Sequence, residues 1–166
     1  MSGHERYALG PLFGPGLPEM VNHTPHAARL GMQVVETGPG LAVIRLPYRD
    51  ELIGDPARRV VFGGAITTLI DHTSGLAVAC AMDVLHPIAT IDLRVDYLRA
   101  ATPGFDLYAR SECYRLTRNV AFVRAVAYEQ TPEDPFASCL ATFMIGASRA
   151  DSSFERLLPQ RPPARS

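Results

Sequence analysis

The sequence predicts an α+β fold in which one long buried helix lies against an antiparallel sheet. Three observations carry that expectation. From Gly64 to about Met82 the residues are small or apolar on nearly every side at helical spacing, so the helix must be covered almost all round. Four β candidates follow with no helix between them: Pro87 to Tyr97, Gly104 to about Arg115, Val120 to about Glu129, and Phe136 to about Ile145. Two of their connections, Thr117-Arg118-Asn119 and Gln130 to Pro135, are short enough for hairpins. Wrapping this meander about the helix is the simplest way to bury it.

The remaining elements follow in chain order. Residues 1–22 are rich in Gly and Pro without a period and read as an arm. Asn22-His23-Thr24-Pro25 offers a cap and a helix-starting proline for a short helix, His26 to about Leu30, which Gly31 ends. Residues 32–47 read as two β segments about a Thr37-Gly38-Pro39-Gly40 turn. In the second segment Leu41, Val43 and Arg45 face one way, and Ala42, Ile44 and Leu46 the other. The stretch RDELIGDPARR, residues 49–59, reads as a loop. In the strand after the long helix, Ile91, Leu93, Val95 and Tyr97 share a face opposite Asp92, Arg94 and Asp96. The domain spans 23–147, and 148–166 form a frayed tail.

Composition excludes several functions. The chain has 166 residues, 47% hydrophobic, with a formal net charge of −1. There is no global basic field to hold nucleic acid or an anionic membrane. All sixteen basic residues are arginine, a codon-bias signature that also rules out a Schiff-base lysine or a P-loop lysine. Cys80, Cys113 and Cys139 are odd in number and lack a CxxC spacing, so free buried thiols are expected. The histidines show no ligand spacing for a metal. Neither a signal peptide nor a membrane span is indicated, and the expected address is the cytoplasm.

The chemistry concentrates in FGGAITTLIDHTSG, residues 62–75. Three readings of Asp71 compete. It can be a solvated or paired acid on a helix face. It can belong to a triad with His72 and Ser74, but residue 72 points about 100° away from 71 on a helix, so no relay closes. It can be a lone general base or nucleophile. Thr67, Ser74 and Gly75, its helix neighbours, are small and none is cationic. They leave room and hydrogen-bond donors for a substrate, and offer no salt bridge.

Gly63 and Gly64 start the helix. Unpaired amides there point outward with the positive end of the helix dipole. Without Cβ atoms they admit a carbonyl closely, as an oxyanion hole requires. A tight turn into the helix explains the pair equally well. Gly63 and Asp71 lie about 12 Å apart along the axis, too far to serve one carbonyl. Two antiparallel copies of the helix remove that difficulty. A functional site here implies a homodimer with two composite sites.

FGGAITTLIDHTSGLA resembles the HGG-x-x-x-x-L-x-D signature of hotdog-fold acyl-CoA thioesterases of the phenylacetate-pathway (PaaI) type. PHAARLGMQVVETGPGLAVIRLP, ATIDLRVDYLRAATPG, LTRNVAFVRAVAYE and ASCLATFMI are similar to the flanking helix and strands of that family. The resemblance covers about residues 24–147. It implies hydrolysis of an acyl- or aryl-CoA with no cofactor beyond the coenzyme A of the substrate, by a homodimer or a tetramer of two such dimers. Asp71 then matches the catalytic carboxylate and Gly63, beside Gly64, the oxyanion amide. Thr90 matches a hydroxyl that holds the water or nucleophile, and Arg118 a basic residue near the nucleotide end. Arg58 and Arg59 are read first as a solvated loop pair and second as phosphate contacts. Two positions depart from the pattern. Phe62 stands where the family keeps a histidine, and Pro56 where it keeps an asparagine. Phe62 is read as lining the acyl pocket. A non-catalytic acyl-CoA sensor and, behind it, a hydratase or dehydratase are the rival readings.

Overall fold

The computed structural model describes residues 24–146; the arm and tail expected at either end lie outside the described residues. Helix α1, Pro25–Leu30, starts on its proline. Thr24 holds the cap position without a side-chain hydrogen bond, so the cap expected there is supplied by backbone alone. Gly31 closes the helix at φ 72, a left-handed conformation that glycine adopts without a Cβ clash.

Strands β1, Gln33–Gly38, and β2, Leu41–Leu46, form the expected hairpin. Gly40 turns it at φ 66, and its N–H and C=O bond to Cys80 O and Cys113 N. A Cβ at Gly40 would lie 3.3 Å from Cys113 O. Ala42, Ile44 and Leu46 are buried, as the alternation requires, and so is Val43 on the other face.

Residues 49–59 are more than a loop. They hold a 3-10 turn, Asp50–Leu52, and a short strand, β3 Ile53–Asp55, which pairs with β4 Val60–Val61 just beyond them. Asp55 Oδ1 accepts the N–H groups of Ala57 and Arg58, the self-bonded turn that aspartate favours. Strands this short carry no readable period, which is why the pattern missed the pairing.

Helix α2, Gly63–Ala81, lies mainly across β2, β6 and β7. Ile66, Leu69, Ile70, Thr73, Ala77 and Cys80, the predicted stripe, are all buried. The strands β5 Ile88–Tyr97, β6 Leu107–Leu116, β7 Val120–Tyr128 and β8 Ala137–Ile145 follow. The sheet order is β1-β2-β6-β7-β8-β5, and every pair is antiparallel. Only β6, β7 and β8 form a true meander. β5 crosses to the far edge and pairs with β8, while β6 pairs with β2. Residues 98–106 make that crossing, a connection too long for a tight hairpin. No helix among the described residues is long and apolar enough to cross a membrane.

The crossing is held by one buried acid. Arg99 donates to both carboxylate oxygens of Glu129 at 2.8 Å, and the Thr102 amide donates at 2.7 Å. Burial pushes the Glu129 carboxyl up, but the Arg99 guanidinium and Thr102 together hold it below its ordinary 4.5. A depressed folded value means that the unfolded chain binds the proton first, so this stabilisation is present above pH 4.5 and is lost as pH falls below it. Glu129→Gln keeps the shape and removes the charge. It is expected to lower stability at pH 7 by about 2 kcal/mol in urea unfolding and to flatten the acid limb of the stability curve.

Candidate active site

The site grows from the one side of α2 that the sheet does not cover. Phe62, Gly64, Thr67, Asp71 and Gly75 retain exposure, while Ala65, Ile66, Leu69, Ile70, Thr73 and Ser74 are buried. Residues three or four apart share a helix face, so Gly64, Thr67, Asp71 and Gly75 form a stripe with little side-chain bulk. Edge strand β5 runs beside it.

Thr90 Oγ1 donates to Asp71 Oδ1 at 2.9 Å. A regular strand would place Thr90 on the face opposite Leu93, Val95 and Tyr97. A β-bulge intervenes: Thr90 opposes Phe143 and Asp92 opposes Thr142, which leaves Ile91 unpaired. The extra residue switches the parity. Thr90 therefore reaches α2, and so does Tyr97 further along. Ile91, expected on the apolar face, is instead 54% exposed.

At the other end of β5, the Tyr97 hydroxyl bonds Gly63 O at 3.0 Å and lies 3.2 Å from Thr67 Oγ1. The sequence grouped Tyr97 only with apolar neighbours. Its phenol at the end of an inward-facing alternation was the available signal. The Gly63 and Gly64 amides have no backbone acceptor among the described residues, as the first turn of a helix dictates. They and Asp71 lie at two ends of one stripe.

Phe62 holds the cap position at the helix start and is 62% exposed. Its N–H is fixed by Leu52 O at 2.7 Å. Both neighbouring glycines pack against Phe62, Gly54 against its backbone and Gly64 against its ring. A Cβ at Gly64 would come within 2.9 Å of Phe62 Cδ1, and one at Gly54 within 2.8 Å of Phe62 Cα. The approach to Phe62 is anchored further back. Asp106 accepts from Arg45 and from the Tyr48 amide, and the Tyr48 hydroxyl donates to Arg59 O.

The other expected residues divide. Ser74 is not beside Asp71's open side: it is fully buried, 3.2 Å from Ser111 Oγ, and serves the core. Arg59 pairs with Asp50 at 2.6 Å and Arg58 more loosely with Asp55 at 3.8 Å. Both lie on the β3–β4 turn at the Phe62 end of α2. Arg118 is exposed on the β6–β7 turn at the opposite end, where Asn119 O accepts from Ile145 and Ile145 opposes Ile88. Burial pushes the Cys80 thiol up to about 12, and those of Cys113 and Cys139 to about 11. All three stay protonated near neutral pH and offer no nucleophile.

A carboxylate with a hydroxyl partner, two free glycine amides and a narrow stripe between them suit acyl chemistry. Comparison with known proteins agrees. The family model described as "Thioesterase superfamily" matches residues 59–135. An esterase-named protein of Halobacterium salinarum is 39% identical over 110 residues, which cover 63% of this chain and 69% of that protein. A solved protein whose description places it in the thioesterase superfamily is 35% identical, covering 78% of this chain and 96% of that one, with a TM-score of 0.70. The chain belongs to the thioesterase superfamily. Its long helix against an antiparallel sheet is the hotdog architecture of that superfamily. Among superfamily relatives, the medium/long-chain acyl-CoA thioesterase YigI of Escherichia coli is 28% identical over 139 residues, covering 76% of this chain and 88% of YigI. A solved variant of the phenylacetic acid degradation protein PaaI from Thermus thermophilus superposes with a TM-score of 0.64 at 25% identity, covering 73% of this chain and 98% of that one.

Gly54 gives this thioesterase-superfamily site a direct structural test. In Gly54→Ala the new methyl meets backbone at Phe62 rather than a movable side-chain end. We expect a stability loss of about 1–3 kcal/mol in urea unfolding followed by circular dichroism, with Phe62 displaced in a crystal structure of the variant.

Proposed function

We propose that the chain is an acyl-CoA thioesterase whose site is completed by a second copy of itself. The observation that carries this reading is the common stripe: Asp71 with its Thr90 donor at one end and the unpaired Gly63 and Gly64 amides at the other. The two ends lie about 12 Å apart along the helix, beyond the reach of one reacting carbonyl. Two α2 helices packed antiparallel would bring Asp71 of each copy beside Gly63 and Gly64 of the other. The stripe has the small residues such close packing needs. Beside it, β5 presents an unpaired sheet edge available for pairing.

In this scheme Asp71 takes a proton from water as the water oxygen attacks the thioester carbonyl. The glycine amides of the second copy hold the resulting oxyanion. The carbon–sulfur bond breaks, and the coenzyme A thiolate recovers the proton from Asp71. Direct attack by Asp71 is the other role open to it. Hydroxylamine trapping of an acyl-Asp71 anhydride detects direct attack, and 18O from water in the Asp71 carboxylate after a single turnover shows it where water opens that anhydride at the aspartyl carbon. Neither route uses a metal or a redox cofactor. Arg118 would approach the nucleotide phosphates from the Asp71 side of each site, with Arg58 and Arg59 of the second copy on the other.

Phe62 favours one alternative, a binding protein that holds acyl-CoA without turnover. Its side chain is exposed and stands where the signature that this stretch resembles has a polar histidine. Tight binding in calorimetry with no thiol release would support that reading.

Thiol release from a panel of acyl-CoAs tests the proposal. Asp71→Asn is expected to lose at least about a hundredfold in kcat while remaining folded; unchanged turnover would exclude the mechanism.

The composite site has its own test. Gly63 is the first helical residue and Phe62 before it is extended, so Gly63→Pro deletes the amide while suiting the helix start. Asp71→Ala and Gly63→Pro should each be inactive. Co-refolded in equal amounts they should regain about a quarter of wild-type activity, since about half the dimers are mixed and each mixed dimer carries one intact site. No recovery in demonstrably mixed dimers would mean that each site lies within one chain.

A further inference from the structure

Tyr97 received no chemical role from the sequence, yet its hydroxyl sits on the carbonyl of the peptide that joins the two glycines. Gly63 O accepts from Tyr97 at 3.0 Å, and Thr67 Oγ1 lies 3.2 Å from the same hydroxyl. A phenol has one proton and a carbonyl can only accept. The proton of Tyr97 is therefore committed to Gly63 O, and the Thr67 hydroxyl must be the donor to Tyr97. The direction of the chain is fixed: Thr67 to Tyr97 to the Gly63 carbonyl.

That carbonyl and the Gly64 N–H belong to one conjugated peptide unit. A hydrogen bond accepted at the oxygen draws electron density from the nitrogen and makes the N–H a stronger donor, and linked hydrogen bonds reinforce one another. We propose that Tyr97, itself supported by Thr67, is a positioning residue that orients the Gly63–Gly64 peptide and strengthens the Gly64 amide as oxyanion donor. The inference rests on the thioesterase reading for its kinetic consequence, but its structural core does not. It also assigns the two ends of β5 complementary tasks: Thr90 holds the carboxylate, and Tyr97 primes the amide that the other copy uses. The two groups are in close proximity, since a Cβ on Gly63 would stand 3.4 Å from the Tyr97 hydroxyl oxygen, at ordinary van der Waals contact.

Tyr97→Phe removes the hydroxyl and keeps the ring. Two measurements on the full chain decide the matter. In a 15N-labelled sample, the Gly64 amide signal should shift on substitution, while that of Gly75, on the same helix but remote from Tyr97, stays put. In acyl-CoA hydrolysis, kcat should fall about tenfold with KM within about twofold of wild type, because the donor acts on the developing oxyanion rather than on substrate binding. Thr67→Val should lower kcat less, and the double variant should match Tyr97→Phe alone, since Thr67 acts through Tyr97. A merely structural tyrosine would change the folding midpoint and leave kcat at its wild-type value. An unmoved Gly64 signal, or a Tyr97→Phe enzyme with full kcat, overturns the proposal. Wild-type protein without thioester hydrolysis overturns the functional reading instead, and the amide shift then still decides whether Tyr97 primes Gly64.

Discussion

Everything in this molecule depends on covering α2. A helix that is small or apolar on nearly all sides cannot rest against a single neighbour. Ile66, Leu69, Ile70, Leu76 and Val78 are buried to within a few per cent, each contributing about 1.5–3 kcal/mol relative to exposure. Many of the sheet residues that face the core are small: Ala109 on β6, Ala121, Ala125 and Ala127 on β7, and Ala137 and Ala141 on β8, between larger ones such as Leu107, Val123 and Phe143. They let the helix lie close across the strands. The side left over is the stripe through Gly64, Thr67, Asp71 and Gly75. Asp71 is tolerated because it falls there, half-buried and hydrogen-bonded, rather than in the core, where an unpaired carboxylate is costly.

The edge strand β5 converts that leftover side into an organised one. It touches α2 through polar contacts at both ends, Thr90 to Asp71 and Tyr97 to Gly63 and Thr67. Both contacts need the bulge at Ile91, because without it Thr90 and Tyr97 would point to opposite faces. The end of β5 is held in turn by Arg99 and Glu129, two residues beyond Tyr97 on the chain and at the end of β7. The partly exposed Arg99 and the buried Glu129 thus fix the chain just beyond Tyr97.

Much of this was legible in the residues. The α2 stripe, the β1–β2 turn and the late strands followed from periodicity and turn residues, because each is a local pattern repeated over many positions. Helical spacing alone removed His72 and Ser74 from any triad with Asp71, and separated Gly63 from Asp71. The failures have physical causes. The β3–β4 pair is too short to show a period. Ser74 looked available beside Asp71, but its fate depended on Ser111 across the core, a contact that no local pattern encodes. Ile91 was misassigned by strict alternation, since a bulge is decided by pairing with β8. Tyr97 was seen only as an apolar-face residue, because its partners lie on another element.

The sequence by itself determined the buried helix, the antiparallel strands and the presence of an acid and two glycines on that helix. Those properties reside in hydrophobic spacing and in the 3.6-residue turn, which are local. Only the tertiary structure decided that β5 leaves the meander for the far edge, that its bulge delivers Thr90 to Asp71, and that Tyr97 closes on Gly63. These outcomes turn on register and on which strand finds which edge. Both are settled by packing between distant segments, so no stretch of residues carries them alone.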